Sequence, residues 1–265
     1  MLQRVACGAL ALVLVVAGSA GADSFSFGDF SSTAGLQLNG SAAQSGTVLR
    51  LTDASQFLAG SFFTTGRHDV AGGFTTTFSF RITPGLFEAA DGIAFVIQNS
   101  APTAIGGAGG DALGLGYGGI SNSLAVEFDT YEGNAGDPAF DHAAVQSCGT
   151  SPNATGAPCN IGGSHPLFVA DGNLHSATID YGLGLLSLSV DGFGVFALPV
   201  DLSTLLSLSG GQAYLGFTAS TGGASETAVI ESWSYESTEP VPEPGTMLLV
   251  GSGLFGLAAR RRRSR

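Results

Sequence analysis

Along residues 24–235 apolar and polar positions alternate in short runs, each broken by Gly, Pro, Asn or Asp. Residues 74–82 alternate Phe with Thr or Ser, the pattern of a two-faced strand. β-Branched and aromatic residues dominate 92–98 and 124–131, and similar runs follow at 175–181, 185–190, 213–219 and 227–235. Asp191-Gly192, between two apolar runs, predicts a two-residue hairpin turn. Away from the two ends, no stretch of a dozen residues carries a helical apolar stripe. Such strands, repeated with no break in composition, predict one all-β domain over 23–238, two antiparallel sheets packed as a sandwich or jelly roll.

The ends depart from this pattern. Residues 1–22 combine Arg4, an apolar run at 9–17 and small residues closing on Ala20-Gly21-Ala22, a secretory signal with cleavage before Asp23. The run is too short to cross about 30 Å of hydrocarbon. Cys7 precedes it and leaves with the leader. In the tail, 239–265, Val241-Pro242-Glu243-Pro244-Gly245-Thr246 leads into an apolar segment at 247–259 and then Arg260, Arg261, Arg262, Arg263 and Arg265. As a helix, residues 246–259 span roughly 21 Å, a weak and transient membrane anchor, with the arginines on the cytoplasmic side. Pro-Glu-Pro, apolar segment and arginine block in that order resemble the PEP-CTERM sorting signal of Gram-negative bacteria. The resemblance implies an exosortase-type processing enzyme as a partner. It also implies removal of the tail and export through the periplasm to the cell surface or matrix.

Charge narrows the partners. Only 11% of the 265 residues are charged, against about 25% in an ordinary soluble domain. Between Asp23 and Glu239 three arginines face twenty carboxylates, a balance of −17. A surface that acidic repels nucleic acid and anionic lipid. Lys is absent, which excludes a P-loop and lysine-based catalysis. Gly114-Leu115-Gly116-Tyr117-Gly118-Gly119 matches the dinucleotide fingerprint in form, but a strand follows where a helix is required, so residues 106–119 read as a flexible surface loop. No Gly-x-Ser-x-Gly elbow supports serine hydrolysis. Cys148 and Cys159, the two cysteines left after export, are expected to pair in an oxidising compartment. Asn153-Ala154-Thr155 reads as a chance glycosylation acceptor; His68, His165 and His175 show no partner pattern and read as surface or loop residues.

The chemistry concentrates in Val126-Glu127-Phe128-Asp129-Thr130-Tyr131, followed by Asn134, Asp137, Asp141 and His142. Glu127, Asp129 and Tyr131 fall on one face of a strand, and Phe128 and Thr130 on the other. Two carboxylates sharing one face of a core strand repel and lose hydration unless a cation answers them. A glycine-rich turn can fold Asn134 and Asp137 back over the strand end, with His142 returning on the next run. Oxygen donors suit Ca²⁺, and carboxylates with one imidazole suit a transition ion such as Mn²⁺.

Several stretches together resemble the legume-type (L-type) lectins. They are Phe74-Thr75-Thr76-Thr77-Phe78-Ser79-Phe80, Ala90-Asp91-Gly92-Ile93-Ala94-Phe95, the Val126–Tyr131 strand, Gly216-Phe217-Thr218-Ala219-Ser220-Thr221-Gly222 and Ser232-Trp233-Ser234-Tyr235. The resemblance implies a concanavalin A-like jelly roll that binds sugar beside a Ca²⁺/Mn²⁺ pair. Glu127 and His142 then correspond to ligands of the transition ion, Asp129 and Asp137 to bridging ligands, and Asn134 and the Tyr131 carbonyl to Ca²⁺ ligands. Asp91, following a peptide often cis in this family, corresponds to the sugar-binding aspartate, and Gly110 to a glycine whose N–H holds the sugar. Asn134 and Tyr131 complete the sugar contacts. The chain departs from the family in placing two residues, Glu132 and Gly133, between Tyr131 and Asn134, in Gly136-Asp137-Pro138 where Trp-Asp-Pro is familiar, and in its cysteine loop.

These readings predict an exported, non-catalytic lectin whose partner is a glycan or exopolysaccharide, with self-association left open. Two alternatives stand beside it. One is a structural matrix protein whose metal site only braces loops. The other is a laminarinase-like retaining glycosidase using Glu127, Asp129 and Glu132, which requires carboxyl groups about 5–5.5 Å apart.

Overall fold

Alternation makes the strand at residues 74–84 two-faced: Phe74, Phe78 and Phe80 are buried together with Thr76, whose hydroxyl meets Trp233 Nε1, while Thr75, Thr77 and Ser79 lie on the outer face. The same division runs through most of the chain. The structure, a computed structural model, describes residues 22–85, 87–108, 111–131, 138 and 140–238. In chain order the strands are β1 (Ser24–Phe27), β2 (Leu36–Gly40), β3 (Ala43–Ser45), β4 (Val48–Thr52), β5 (Ala59–Thr64), β6 (His68–Asp69), β7 (Phe74–Pro84) and β8 (Gly92–Gln98). After a 3₁₀ segment at Asp111–Gly116 come β9 (Ser123–Asp129), β10 (His142–Gln146), β11 (Asn160–Pro166), β12 (His175–Gly182), β13 (Leu185–Val190) and β14 (Phe193–Pro199). A single helical turn, α1 (Leu202–Leu205), precedes β15 (Gln212–Ser220) and β16 (Glu226–Ser237). The Asp201 side chain caps this turn by accepting from Ser203 N and Thr204 N.

The strands form two antiparallel sheets. One runs β14-β13-β12-β7-β16-β4-β3, with β1 also on β16; the other runs β11-β10-β9-β8-β15-β5-β2, with β6 also on β15. Between them lies an aromatic core. Trp233 meets Phe217 at 5.1 Å between ring centres, Phe217 meets Phe78 at 4.7 Å, and Phe80 meets Phe128 at 5.2 Å. These are the edge-on and tilted geometries that ring quadrupoles favour. The jelly-roll sandwich expected from the strand pattern is therefore the fold, and residues 92–98 and 185–190 coincide with β8 and β13.

A second apolar layer covers the outer face of the second sheet, where Leu115, Tyr117 and Ile120 pack on Phe63, Ala94, Val96 and Ala125. Residues 106–119 do lie between two strands, β8 and β9, as expected. The described part, 106–108 and 111–119, is not a loose surface loop, because Leu115 and Tyr117 are buried and Gly106 N–H donates to the Gly116 carbonyl at 2.7 Å. Cys148 and Cys159 are joined in a disulfide. Asn153, inside the loop it closes, is buried and donates to Gln146 O and Ser123 Oγ, so the acceptor triplet does not present its amide to solvent.

Two of the histidines expected to lack partners have them. His68 Nδ1 lies 3.0 Å from Asp23 Oδ1. His175 is held on both ring nitrogens, by Asp191 at 2.7 Å and Asp171 at 3.0 Å. Asp171 lies four residues before His175, but Asp23 and Asp191 come from other parts of the chain, a proximity that one-dimensional spacing does not reveal.

Candidate functional site

At the end of the sandwich where β7 passes to β8, the peptide bond between Ala90 and Asp91 is cis. Asp91 is gripped from three sides. Its N–H donates to the Ser220 carbonyl at 2.9 Å, its Oδ2 accepts the Ser220 hydroxyl at 2.7 Å, and its carbonyl accepts the Thr130 N–H at 3.3 Å. Gly92 follows with φ +117°, and a Cβ there would run into the Phe128 carbonyl, so β8 can approach β9 this closely only with glycine. The Asp91 side chain is 8% exposed and lines a hollow of about 470 Å³ together with Tyr131, Phe57, Phe87 and the Gly222-Gly223 turn. Burial raises the pKa of Asp91, and the Ser220 hydrogen bond opposes that rise.

Beneath the hollow sits Glu226, at the start of β16 and fully buried. Its Oε1 accepts Gly92 N–H at 2.9 Å and its Oε2 accepts the Thr130 hydroxyl at 2.8 Å. One side chain thus ties the first sheet to β8 and to the end of β9. Burial pushes its pKa up to about 8; the Thr130 and Gly92 hydrogen bonds pull against this, while the charges of Asp91 and Asp141 add to it.

The second group lies on the outer face of the second sheet. Antiparallel pairing sets His142 opposite Asp129 and Ala144 opposite Glu127, so Glu127, Asp129 and His142 share one face of two adjacent strands. All three are buried. Glu127 Oε1 lies 3.6 Å from His142 Nε2 and accepts the Gln146 amide at 2.6 Å, while Oε2 accepts the Tyr117 hydroxyl. His142 Nδ1 lies 3.2 Å from the Phe140 carbonyl. A carbonyl can only accept, so Nδ1 carries the proton and, in the neutral ring, Nε2 carries the lone pair. Asp129 Oδ1 accepts the Tyr131 N–H at 2.8 Å, turning the chain from β9 towards the hollow.

The residues singled out from the sequence thus fall into two neighbouring sets: Asp91 with Tyr131 at the hollow, and Glu127, Asp129 and His142 behind it. Asn134, Asp137, Gly110 and Glu132 lie outside the described residues, as do the leader and the tail from residue 239. Among the described residues no three His, Cys, Asp or Glu side chains form a group able to hold a metal ion by themselves. Sequence reasoning missed Glu226, Ser220, Thr130, Tyr117 and Gln146. Glu226, Ser220 and Thr130 act across 96 to 134 residues of sequence, Gln146 stands in no motif, Tyr117 reads only as part of a glycine-rich loop, and the alternation of Thr130 reads only as a face.

A jelly-roll sandwich with a cis-preceded aspartate in an open hollow, backed by a carboxylate–imidazole group on adjoining strands, defines the concanavalin-like class. The chain belongs to the legume lectin family, with residues 28–232 matching its legume lectin beta-barrel domain. Residues 240–263 match the PEP-CTERM protein-sorting motif, the mark of an exported protein. A probable L-type lectin-domain containing receptor kinase S.7 of Arabidopsis thaliana is 30% identical over 193 residues, covering 64% of this chain and 27% of the kinase. The chain therefore spans about a quarter of that relative's length. A lectin of Leucomphalos mildbraedii is 29% identical over 175 residues, covering 62% of this chain and 69% of that one. Among solved structures, a Bauhinia forficata lectin in complex with GalNAc superposes with a TM-score of 0.67 at 23% identity, covering 82% of this chain and 99% of the other, a likeness of fold.

Proposed function

We propose that this protein is a secreted or cell-surface lectin of a Gram-negative bacterium that binds a glycan at the hollow around Asp91 without chemical turnover. The observation that carries this reading is Asp91 itself, a largely buried carboxylate held by Ser220 with its side chain lining an open hollow. A carboxylate so placed accepts hydrogen bonds from sugar hydroxyls, and one already fixed loses little freedom on binding. Tyr131 offers a ring to the sugar's C–H face, and the Asn134 amide and the Gly110 N–H stand as the donors of the resemblance. An open hollow gives weak affinity for a single sugar, raised by multivalent display.

The donor set suits the divalent ions that the family implies. Glu127 and His142 face each other within a metal's reach, with the imidazole lone pair on the side of Glu127, and hydrogen bonds from Tyr117 and Gln146 orient the carboxylate as outer groups orient ligands. The three arginines of the domain are engaged elsewhere, with Asp53, Glu231, and Asn99 with Tyr214. Glu127, Asp129, Asp137 and His142 would hold Mn²⁺, and Asp129, Asp137, Asn134 and the Tyr131 carbonyl Ca²⁺, supplying positive charge that fixes the loop beside Asp91. Glu127 is 1% exposed with both oxygens occupied, a setting that supports holding an ion rather than attacking a glycosidic carbon.

A glycan array of the secreted protein, with and without EDTA and with Asp91→Asn, tests the proposal. Binding that disappears in both the chelated protein and the variant is expected. Binding that survives both changes refutes the lectin site. A chelator that lowers Tm in a protein that binds no glycan at all returns the molecule to a structural matrix role.

A further inference from the structure

Among the described residues, two aromatic rings beside Asp91 stand largely exposed, outside both hydrophobic clusters. Phe57, between β4 and β5, is 66% exposed at φ +58°; Phe87, between β7 and β8, is 88% exposed at φ +75°. Left-handed backbone is strained for a bulky side chain, and an exposed ring gains nothing in water that offsets the strain. Strain of this kind persists only where the surroundings impose it, and it gathers at ligand clamps. The surroundings of Phe57 do impose it. Its N–H donates to the Gly222 carbonyl at 3.2 Å, Leu58 N–H to the Thr221 hydroxyl at 2.9 Å, and the Gln56 amide to the Gly223 carbonyl. On the other side, Gly85 N–H donates to the Ser225 carbonyl at 2.8 Å and Ser225 Oγ to the Ala54 carbonyl at 3.0 Å, anchoring the start of the Phe87 turn to the same loop. Both rings line the hollow that contains Asp91 and Tyr131.

The geometry points to Phe57 and Phe87 as a fixed aromatic clamp that selects uncharged sugars bearing an apolar face or a methyl group, such as an N-acetyl or 6-deoxy substituent. This rests on the glycan-binding reading of Asp91 above. Aromatic faces attract the weakly polarised C–H bonds of such groups, while Asp91 takes the hydroxyls. The charged residues that line the hollow, Glu88 and Asp91, are acidic, and none of its described lining residues is cationic. A uronic-acid polymer therefore meets like charge there.

The test separates a recognition role from a structural one because glycine relieves the backbone. Phe57→Gly and Phe87→Gly, each with Phe→Asn as a second variant, are compared with wild type by thermal melting. Their binding is measured on uncharged N-acetylated and 6-deoxy oligosaccharides, on the fully hydroxylated counterparts and on polyuronate. The expected result is an unchanged or raised Tm with binding of the methyl-bearing sugars weakened about three- to tenfold per ring, and recovery in Phe57→Tyr. Unchanged affinity and preference in the glycine variants, while Asp91→Asn abolishes binding, overturns the clamp and leaves the lectin reading standing. Equal or stronger wild-type binding to polyuronate overturns the clamp's charge preference. Wild type that binds no sugar removes both.

Discussion

Ser220 holds Asp91 twice, through its carbonyl to the aspartate N–H at 2.9 Å and through its hydroxyl to the carboxylate at 2.7 Å. The backbone contact survives replacement of the side chain, so Ser220→Ala isolates the hydroxyl. Its loss leaves a largely buried carboxylate oxygen short of a partner, a cost of about 1–3 kcal/mol. The variant is expected to fold, to melt several degrees lower and to bind glycan more weakly than wild type. Thermal melting with a glycan titration checks it, and unaltered affinity would mean that the hydroxyl does not position the carboxylate.

Glu226 carries a clear pH signature. Its folded pKa of about 8 lies above the ordinary 4.5, so the folded state keeps a proton that the unfolded state loses. Its contribution to stability is full below pH 4.5 and declines as pH rises towards 8. In EDTA, Glu226→Gln should remove that decline, leaving its Tm near the wild-type value at about pH 4.5 and increasingly above wild type as pH rises, because glutamine resembles the protonated acid. Glu226→Ala, which strips Gly92 N–H and the Thr130 hydroxyl of their acceptor, should lower Tm at every pH. Parallel melting curves from pH 5 to 8.5 for wild type and Glu226→Gln would contradict this.

The Gln146 amide donates to Glu127 Oε1 at 2.6 Å and so stands behind the proposed ion site rather than in it. Outer groups of this kind tune metal affinity by about ten- to a hundredfold. Gln146→Leu should therefore bind Mn²⁺ more weakly by about that factor, read by calorimetry on the chelated and dialysed protein. Equal affinity for the ion in both proteins would show that Gln146 does not orient the ligand.

His175 bridges two turns through Asp191 and Asp171. Burial alone would lower its pKa, but the two carboxylates outweigh that and raise it, while Asp171, bonded to Asn173 and His175, is lowered to about 2. The imidazolium therefore stabilises the fold fully below pH 6.5, and that stability is lost as pH rises through the raised value. At the acid end it is lost as pH falls from 3.8 towards 2. The Tm difference between wild type and His175→Gln should be widest near pH 5 and shrink above pH 7. A constant difference across that range would leave the bridge without an electrostatic role.

What the chain disclosed about itself follows from where each residue's partners lie. A strand with one face in the core, such as β13, announces itself by alternation, β8, buried on both faces, by a continuous β-branched and aromatic run, and paired carboxylates on β9 announce an unanswered charge. The edge strand β11 reads Asn-Ile-Gly-Gly-Ser-His-Pro, has little to bury and leaves no pattern. The short strands β1 to β3 are half exposed and equally mute. Glu226 meets Gly92 across 134 residues of sequence, and only the crossing of the two sheets brings them together. Phe57 and Phe87 look like ordinary apolar residues until their backbone angles and exposure are known.

The ends of the domain meet on neighbouring strands. Asp23 N–H donates to Ser237 Oγ and Ser237 N–H to the Asp23 carbonyl, so the leader side and the tail side leave from one corner. From that corner β16 runs its twelve residues back to Glu226, roughly 36–40 Å at about 3.3 Å per residue. A domain still carrying its sorting tail would be held at the Ser237 pole, with the proposed glycan site around Asp91 at the opposite pole. Transient attachment before the tail is removed and capture of a sugar chain at that site would not compete for space.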